Sequence, residues 1–203
     1  MSEAPAVDEE VRARLGSGDT TDATTLVIRT HGAEIMGLLV ALSHDEQMAA
    51  DAYALWCERL WKALPTFRFE ASVRTLAYVL ARRSLSDHRR AQRKHRHVVA
   101  VAPSQLPDAV LQARSATCTF QRTSVKHELD ALREGLSHDD RILLALRLDR
   151  GMEWRDIARV MSDEAVVPDD ALKVVSLRLR KRYQRLKTRL TAALRAQRPP
   201  SDD

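Results

Sequence analysis

The stretch SHDEQMAADAYALWCERLWKALPTFRFEASVRTLAYVLARRSLSDHRRAQRKHR, residues 43–96, decides the fold of this chain. It opens with Ser43 and, three residues later, Glu46, the spacing of a capping box, in which each side chain satisfies a free backbone N–H. Apolar residues then follow at helical steps that place them on one face: Met48, Ala52, Leu55, Trp56, Leu60, Ala63 and Leu64. Pro65 ends this predicted helix, because a proline pushes the preceding residue out of the helical region.

A second periodic run follows a short loop that contains Phe67 and Phe69. Its apolar positions are Val73, Leu76, Ala77, Leu80, Ala81 and Leu85. The end of this second predicted helix is crowded with cations: Arg82, Arg83, Arg89, Arg90, Arg93, Lys94 and Arg96. An earlier apolar pattern at residues 22–42 predicts a third helix that closes a three-helix bundle.

Length and composition place the chain among ordinary globular proteins. Its 203 residues allow one large or two small domains, and 44% apolar content is enough for a core. The 33 Lys and Arg exceed the 28 Asp and Glu only modestly. Residues 1–21 are acidic and rich in small side chains, which predicts a disordered tail. We expect a cytoplasmic protein without membrane insertion, because no apolar run approaches bilayer length and no signal pattern is present.

The chemistry-bearing residues do not favour catalysis, a cofactor or a metal. Cys57 and Cys118 are the only cysteines and lack metal-ligand spacing, and Cys57 is interpreted as a small buried hydrophobe. The pairs Asp139-Asp140 and Asp169-Asp170 lie at predicted helix starts, where capping explains them. The seven histidines are scattered, and Gly-rich phosphate loops and nucleophile elbows are missing. We therefore predict a protein that is not an enzyme and needs no cofactor or metal.

The second half of the chain predicts a linker and another helical domain. Residues 98–125 contain prolines and no sustained periodicity, so they are interpreted as a linker. Residues 126–198 form the predicted second domain, followed by a tail at 199–203. Within this domain, helices are expected at 126–135, 139–148 and 153–161, with Gly151 as a stop.

The last predicted helix is long and basic. It begins near Pro168 and meets no breaker before Pro199. One apolar stripe runs along it: Leu172, Val175, Leu179, Tyr183, Leu186, Leu190 and Leu194. Cations cover much of the remainder, and no acid follows Asp170 until the terminal Asp202 and Asp203. Such a helix is suited to the major groove, where Arg and Lys reach both phosphates and guanine edges. A solvated helix face is the alternative, although such faces usually interleave acids.

The run ALPTFRFEASVRTLAYVLARRSLSDHRR resembles the second conserved region of bacterial RNA polymerase sigma factors of the extracytoplasmic-function (ECF) class. The matching residues are Trp61, Ala63, Leu64, Pro65, Phe67, Arg68, Glu70, Arg74, Thr75, Tyr78, Ala81, Arg82, Asp87, His88 and Arg90. The family's loop glycine falls on Phe69. The run LRLRKRYQRLK is similar to the end of the family's recognition helix, but a longer segment at 162–170 replaces the usual tight turn.

The resemblance implies an all-α protein: a three- to four-helix region 2 bundle at 22–97, a flexible linker and a helix-turn-helix region 4 domain with an enlarged turn. It implies binding of RNA polymerase core, at the clamp and flap of the large subunits, and of promoter DNA, with an anti-sigma factor as a further partner. Core-polymerase binding falls on Asp51, Leu55, Glu58, Arg59 and Lys62. Inner-promoter binding falls on Phe67, Phe69, Arg74, Arg82, Arg83, Arg89 and Arg90. Outer-promoter binding falls on Lys173, Ser176, Arg178, Arg180, Lys181, Arg182 and Arg185.

Some alternatives stay open from the sequence. Phe67 is at least as well explained as a core side chain as it is as a stacking face, whereas Phe69 is the better candidate for exposure. The whole chain also fits a dimeric helix-turn-helix regulator that does not recruit polymerase. A third interpretation is an all-helical adaptor whose basic helix binds an acidic protein. DNA binding that weakens steeply with salt fits both the sigma factor and the regulator, and it does not fit the adaptor.

Overall fold

The computed structural model describes residues 4–94, 135–162 and 167–197, which divide into two compact units. Every regular element within these ranges is helical. The predicted all-α class is therefore confirmed. The predicted linker at 98–125 and the tail at 199–203 lie outside the described residues, as does nearly all of the predicted helix at 126–135.

The N-terminal unit is a bundle of four helices: α1 Ala4–Gly16, α2 Thr20–Ser43, α3 Glu46–Ala63 and α4 Val73–Lys94. The helix α2 packs against the other three, and α3 packs along α4. A fully buried Trp56 fixes this last contact, because its Nε1 donates to the carbonyl oxygen of Ala77 at 3.0 Å. Pro65 lies in a short 3-10 turn directly after α3, which confirms the predicted helix end.

The helix α1 corrects the prediction of a disordered tail at 1–21. Val11 of α1 is fully buried, and Asp8 Oδ1 accepts the backbone N–H of Val73 at 2.9 Å. Burial raises the pKa of Asp8, against the opposing effect of this hydrogen bond. The acidic composition of this segment concealed the helix. One of its acids, Asp8, caps a helix far along the chain, because it accepts the first backbone N–H of α4.

We expect Asp8→Ala to lower the free energy of unfolding by about 1 kcal/mol, the usual loss for a helix cap. The cap is provided from another helix, so the substitution also loosens the docking of α1. Urea denaturation of the full chain measures the change. Glu9→Ala is the matched control, because Glu9 is exposed on the same helix. Equal midpoints for the two variants would contradict the role of Asp8.

The start of α3 differs from the predicted capping box. Asp45 is the cap, and its Oδ1 accepts the backbone N–H of Met48 at 3.0 Å. Ser43 instead ends α2, and its hydroxyl donates to the carbonyl oxygen of Asp45 at 2.8 Å. His44 lies between them with φ +55°, in the left-handed conformation that ends many helices. The prediction of a capping box is wrong because α2 ends where α3 begins, and Ser43 belongs to the end of α2.

The helix α2 also corrects the expectation that no apolar run approaches bilayer length. Its best 18-residue window has a mean hydropathy of 1.4, and by length and composition alone this helix is able to cross a membrane. Val27, Ile35 and Leu39 are fully buried against the other helices of the unit. One such helix is weak evidence for a membrane span, because the core helix of a bundle has the same composition.

The C-terminal unit contains three described helices: α5 His138–Leu144, α6 Trp154–Met161 and α7 Asp169–Gln197. Ser137 caps α5, whose last turn widens into a π-helical turn at Ala145–Asp149. Gly151 follows with φ +62°, which confirms the predicted stop. The predicted apolar stripe of the last helix is also confirmed, with three leucines buried at steps of seven: Leu172, Leu179 and Leu186.

Candidate nucleic-acid and polymerase interfaces

The exposed face of α3 carries the first set of predicted contact residues. Glu58 and Lys62 lie one turn apart, and their side chains form an ion pair of 2.5 Å. This ammonium lowers the pKa of Glu58. Trp61 is 52% exposed at the edge of the same face. We call Leu55, Glu58, Trp61 and Lys62 the α3 ridge.

The other two predicted core-binding residues connect α3 to α4. Arg59 Nη2 donates to Asp87 Oδ2 at 2.8 Å, and Asp51 Oδ2 lies 3.6 Å from His88 Nε2. Both residues therefore flank the α3 ridge and hold its orientation. Trp61 was absent from the predicted contacts, although it matched the family wording, because exposure cannot be read from a tryptophan that also fits the helical period.

The loop between α3 and α4 places the two predicted stacking residues together. The ring centroids of Phe67 and Phe69 are 4.8 Å apart, and both side chains are half-buried. Phe69 has φ +56°, the left-handed region that favours glycine, which explains why the family has a glycine there. The guanidinium of Arg12, in α1, lies 4.5 Å above the Phe69 ring. Sequence analysis missed Arg12 because it treated that segment as disordered.

Two of the predicted inner-promoter arginines are bound within the bundle. Arg74 forms a two-pronged ion pair with Glu34, through Nε and Nη2, each at 2.9 Å. Arg89 Nη2 donates to the carbonyl oxygen of Leu42 at the end of α2, at 2.6 Å. A sequence pattern of clustered cations cannot distinguish these internal partners from phosphates. Both residues position the bundle in this structure.

The remaining predicted cations of α4 differ in exposure. Arg82 and Arg83 are half-buried, whereas the Arg90 side chain is 73% exposed and lies 3.5 Å from Asp87 Oδ1. Arg68 in the loop is also exposed, and it was not among the predicted contacts. Arg90 and Arg68 are therefore exposed cations of this unit.

Glu34 connects α2 to α4. Its Oε1 lies 3.0 Å from Nδ1 of His31, and both oxygens accept from Arg74. Burial alone would raise the pKa of Glu34, but the hydrogen bonds and charges of His31 and Arg74 lower it to about 2. The carboxylate is consequently a stable anion at the contact between α2 and α4.

Two predicted outer-promoter residues are bound within the C-terminal unit. Ser176 is buried, and its hydroxyl donates to the carbonyl oxygen of Trp154 at 3.2 Å. Arg182 Nε donates to Asp140 Oδ1 at 2.5 Å. Both contacts fix the rotation of α7 about its own axis. Ser176 and Arg182 therefore have partners within the unit, and their contact with DNA stays a prediction.

The other predicted cations of α7 are exposed. Lys173 Nζ lies 3.2 Å from Asp170 Oδ1, and the guanidinium of Arg180 lies 5.7 Å from the Trp154 ring. Arg178, Lys181 and Arg185 form no ion pair with any described residue. A continuous positive face remains on α7, opposite its buried leucines.

The described residues offer no cluster of three or more His, Cys, Asp and Glu side chains that is able to hold a metal ion. Cys57 is half-buried, and burial raises the pKa of its thiol to about 12, which disfavours the reactive thiolate. Cys118 lies outside the described ranges.

Residues 27–95 match the family model of sigma-70 region 2, which spans α3, the loop with both phenylalanines and α4. The chain contains a sigma-70 region 2 domain. The chain is 26% identical to the RNA polymerase sigma-H factor of Pseudomonas aeruginosa over 159 aligned residues. This alignment covers 76% of the chain and 82% of that relative. The resemblance found in the sequence is thus confirmed at the level of the sigma factors, whose function is to direct promoter recognition by RNA polymerase.

Proposed function

We propose that this sigma factor belongs to the ECF class and acts in the cytoplasm through three separate surfaces. The α3 ridge docks on the clamp of the largest polymerase subunit. The loop with Phe67 and Phe69 captures the melted inner promoter element, and α7 binds the outer element as a duplex. The observation that carries the proposal is the α3 ridge, an exposed tryptophan beside charged side chains on a helix inside the matched region 2 domain.

The α3 ridge has the composition of a protein interface. Trp61 is large and half-exposed, and tryptophan is among the residues that dominate binding energy at such interfaces. Glu58 and Lys62 surround it with charges that set orientation and partner choice. Arg59 and Asp51 hold α3 against α4, so the ridge is rigid before binding and loses little entropy on docking.

The loop after α3 is suited to single-stranded DNA. An unpaired base that stacks on an aromatic ring gains about 1–3 kcal/mol. The Phe69 ring contacts both the Phe67 ring and the Arg12 guanidinium, so capture of a base requires Arg12 to move or to share the ring. Arg68 is exposed between the two rings in sequence, and Arg90 is exposed near the other end of α4. Both supply phosphate contacts, which position the strand without specifying it.

The helix α7 supplies the duplex contact. Its exposed cations, Arg178, Lys181 and Arg185, lie opposite the buried leucine stripe, so the helix can enter a groove without disturbing its own packing. Binding at both promoter elements through one chain makes the second contact intramolecular, which raises its effective concentration. The polymerase flap is the proposed neighbour of this unit, and an anti-sigma factor that covers these surfaces is the proposed regulator.

Two other functions compete with this proposal. A dimeric helix-turn-helix regulator would use α7 but would leave the α3 ridge without a partner. A protein adaptor would use α7 without DNA. The exposed Trp61 and the region 2 match favour polymerase binding over both.

The decisive test is association with bacterial core polymerase. We expect the double variant Glu58→Lys, Lys62→Glu to weaken binding to core by at least about tenfold. This exchange preserves the net charge and an ion pair within the helix while it reverses the charge pattern that the partner meets. Trp61→Ala is expected to have a comparable effect because it removes the apolar anchor. Gel filtration and fluorescence anisotropy with labelled full chain measure the affinities.

Arg29→Glu is the control, since Arg29 is exposed on α2, away from the α3 ridge. All variants should keep the melting temperature of the parent chain, which separates docking from folding. If the exchanged pair and Trp61→Ala bind core as tightly as the parent, the docking surface is wrong. If the parent chain does not bind core but binds duplex DNA in a salt-sensitive way, the regulator is correct instead.

A further inference from the structure

The exposed face of α7 carries two large apolar side chains among its cations. Val174 is 47% exposed and Leu177 is 56% exposed. At about 100° per residue, both fall on the same helical face as Arg178, Lys181 and Arg185. We call these five residues the α7 ridge. It lies directly opposite the buried stripe of Leu172, Leu179 and Leu186.

Contacts within the unit fix the direction in which the α7 ridge points. Ser176 is anchored to the Trp154 carbonyl and Arg182 to Asp140, so α7 cannot rotate to bury Val174 or Leu177 without breaking both. Single exposed apolar residues are ordinary on protein surfaces. A pair one turn apart, on a face that continues into three cations, indicates a partner that presents both anionic groups and an apolar surface.

Duplex DNA has this arrangement in its major groove. Phosphates line both edges, and each thymine presents a C5-methyl group at the floor of the groove, the one apolar feature of the base edges there. Around the helix axis, Lys173 and Arg178 lie on either side of the apolar pair, and Lys181 and Arg185 continue the positive face toward the C-terminus. Phosphate contacts on either side of a base contact require such an arrangement. Asp170, at the start of the same face, is paired with Lys173, so its charge is compensated where the helix meets the DNA.

We propose that Val174 and Leu177 read thymine methyl groups in the duplex of the outer promoter element, while Arg178, Lys181 and Arg185 hold its phosphates. This inference rests on the proposed function of α7 and adds to it a base preference and the turn of the helix that sets it. The second and third turns of α7, near residues 174–181, enter the groove. Ser176 and Arg182 contribute by orienting that turn.

The experiment uses the full chain bound to core polymerase and a library of randomised duplexes. The selected duplex is then resynthesised with deoxyuridine in place of thymidine at one position at a time, which removes only the methyl group. We expect about fourfold weaker binding at one or two adjacent positions, the effect of one buried methyl group. Leu177→Ala and Val174→Ala should each abolish the uridine effect at one of these positions while they retain salt-dependent binding.

Leu148→Ala is the control, because Leu148 is 57% exposed in the same unit but lies outside α7. It should leave every uridine effect unchanged. A flat uridine scan with the parent chain, or a selected site without thymine in the footprint, overturns the inference while leaving α7 as a DNA-binding helix. Failure to bind any duplex overturns both this inference and the proposed role of α7. If Leu177→Ala binds core more weakly and its uridine scan is the same as that of the parent chain, the apolar pair contacts a protein partner. This result also overturns the inference.

Discussion

Arg74→Ala is expected to destabilise the N-terminal unit by about 3 kcal/mol near neutral pH, because it removes one partner of a largely buried ion pair. The Arg74 side chain is 30% exposed and that of Glu34 is 21% exposed. Without the arginine, the Glu34 carboxylate would lose both guanidinium hydrogen bonds while it keeps its contact with His31. The guanidinium also lies 5.5 Å from the Tyr78 ring, and this contact would be lost as well.

The pH dependence gives the same pair an independent signature. The folded-state pKa of Glu34 is lowered to about 2, below its ordinary value of 4.5. A carboxyl group of this kind contributes stability that is complete above its unfolded pKa and is lost as the pH falls through its folded pKa. We therefore expect the parent chain to lose about 3 kcal/mol between roughly pH 5 and pH 2 from this group alone. Arg74→Ala should lose much less over the same interval.

Chemical denaturation at a series of pH values measures both effects. Arg74→Lys is the informative second variant, since it keeps the charge but not the two parallel hydrogen bonds, and should fall between the parent and Arg74→Ala. Lys62→Ala, which removes an exposed ion pair, should leave stability unchanged. Equal acid sensitivity of the parent and Arg74→Ala would show that other carboxylates govern the transition.

Gly32→Ala is expected to destabilise the same unit by about 2 kcal/mol through overpacking. A Cβ built on Gly32 would lie very close to the buried hydroxyl of Tyr53, which has no hydrogen-bond partner among the described residues. Relief of this contact requires α2 and α3 to separate or Tyr53 to leave its position. Either change disturbs the centre of the bundle.

Replacement of Tyr53 by phenylalanine should reverse the sign of that effect. Once the hydroxyl is absent, the nearest neighbours of the new Cβ are Ile28 Cγ2 and Tyr53 Cζ, both at 3.6 Å, an ordinary contact distance. Alanine is also a better helix former than glycine by about 1 kcal/mol. Gly32→Ala should consequently stabilise a Tyr53→Phe background, whereas it destabilises the parent. Thermal unfolding of the four proteins in the cycle tests this, and equal effects in both backgrounds would contradict it.

The fold was largely predictable, because it depends on periodicity. The runs on α3, α4 and α7 repeat at steps of three and four, and proline or glycine ends them. The helix α1 was missed because its hydrophobic signal is weak and its key contact, from Asp8 to Val73, joins residues far apart in the chain. The prediction of a capping box at Ser43 was wrong for a different reason. The spacing of the local motif was correct, but its serine is part of the preceding helix.

The sequence alone distinguished only in part between residues available for contact and residues with a structural role. Cations in a cluster look alike in a sequence, yet Arg74, Arg89 and Arg182 have carboxylate or carbonyl partners within their own unit. Those partners lie on other helices, so no local sequence pattern indicates them. Exposure of Val174 and Leu177 likewise emerged only from the rotation of α7.

The hydrogen bond from Val73 to Asp8 also bears on how the chain acquires its structure during synthesis. The acceptor leaves the ribosome 65 residues before the donor, and most domains fold as units while the chain is being made. The helix α1 has no partner for its Asp8 until the start of α4 has emerged. We therefore expect protection of α1 against proteolysis to appear late, together with that of α4, and nascent chains arrested before residue 73 to remain open to cleavage near their first residues.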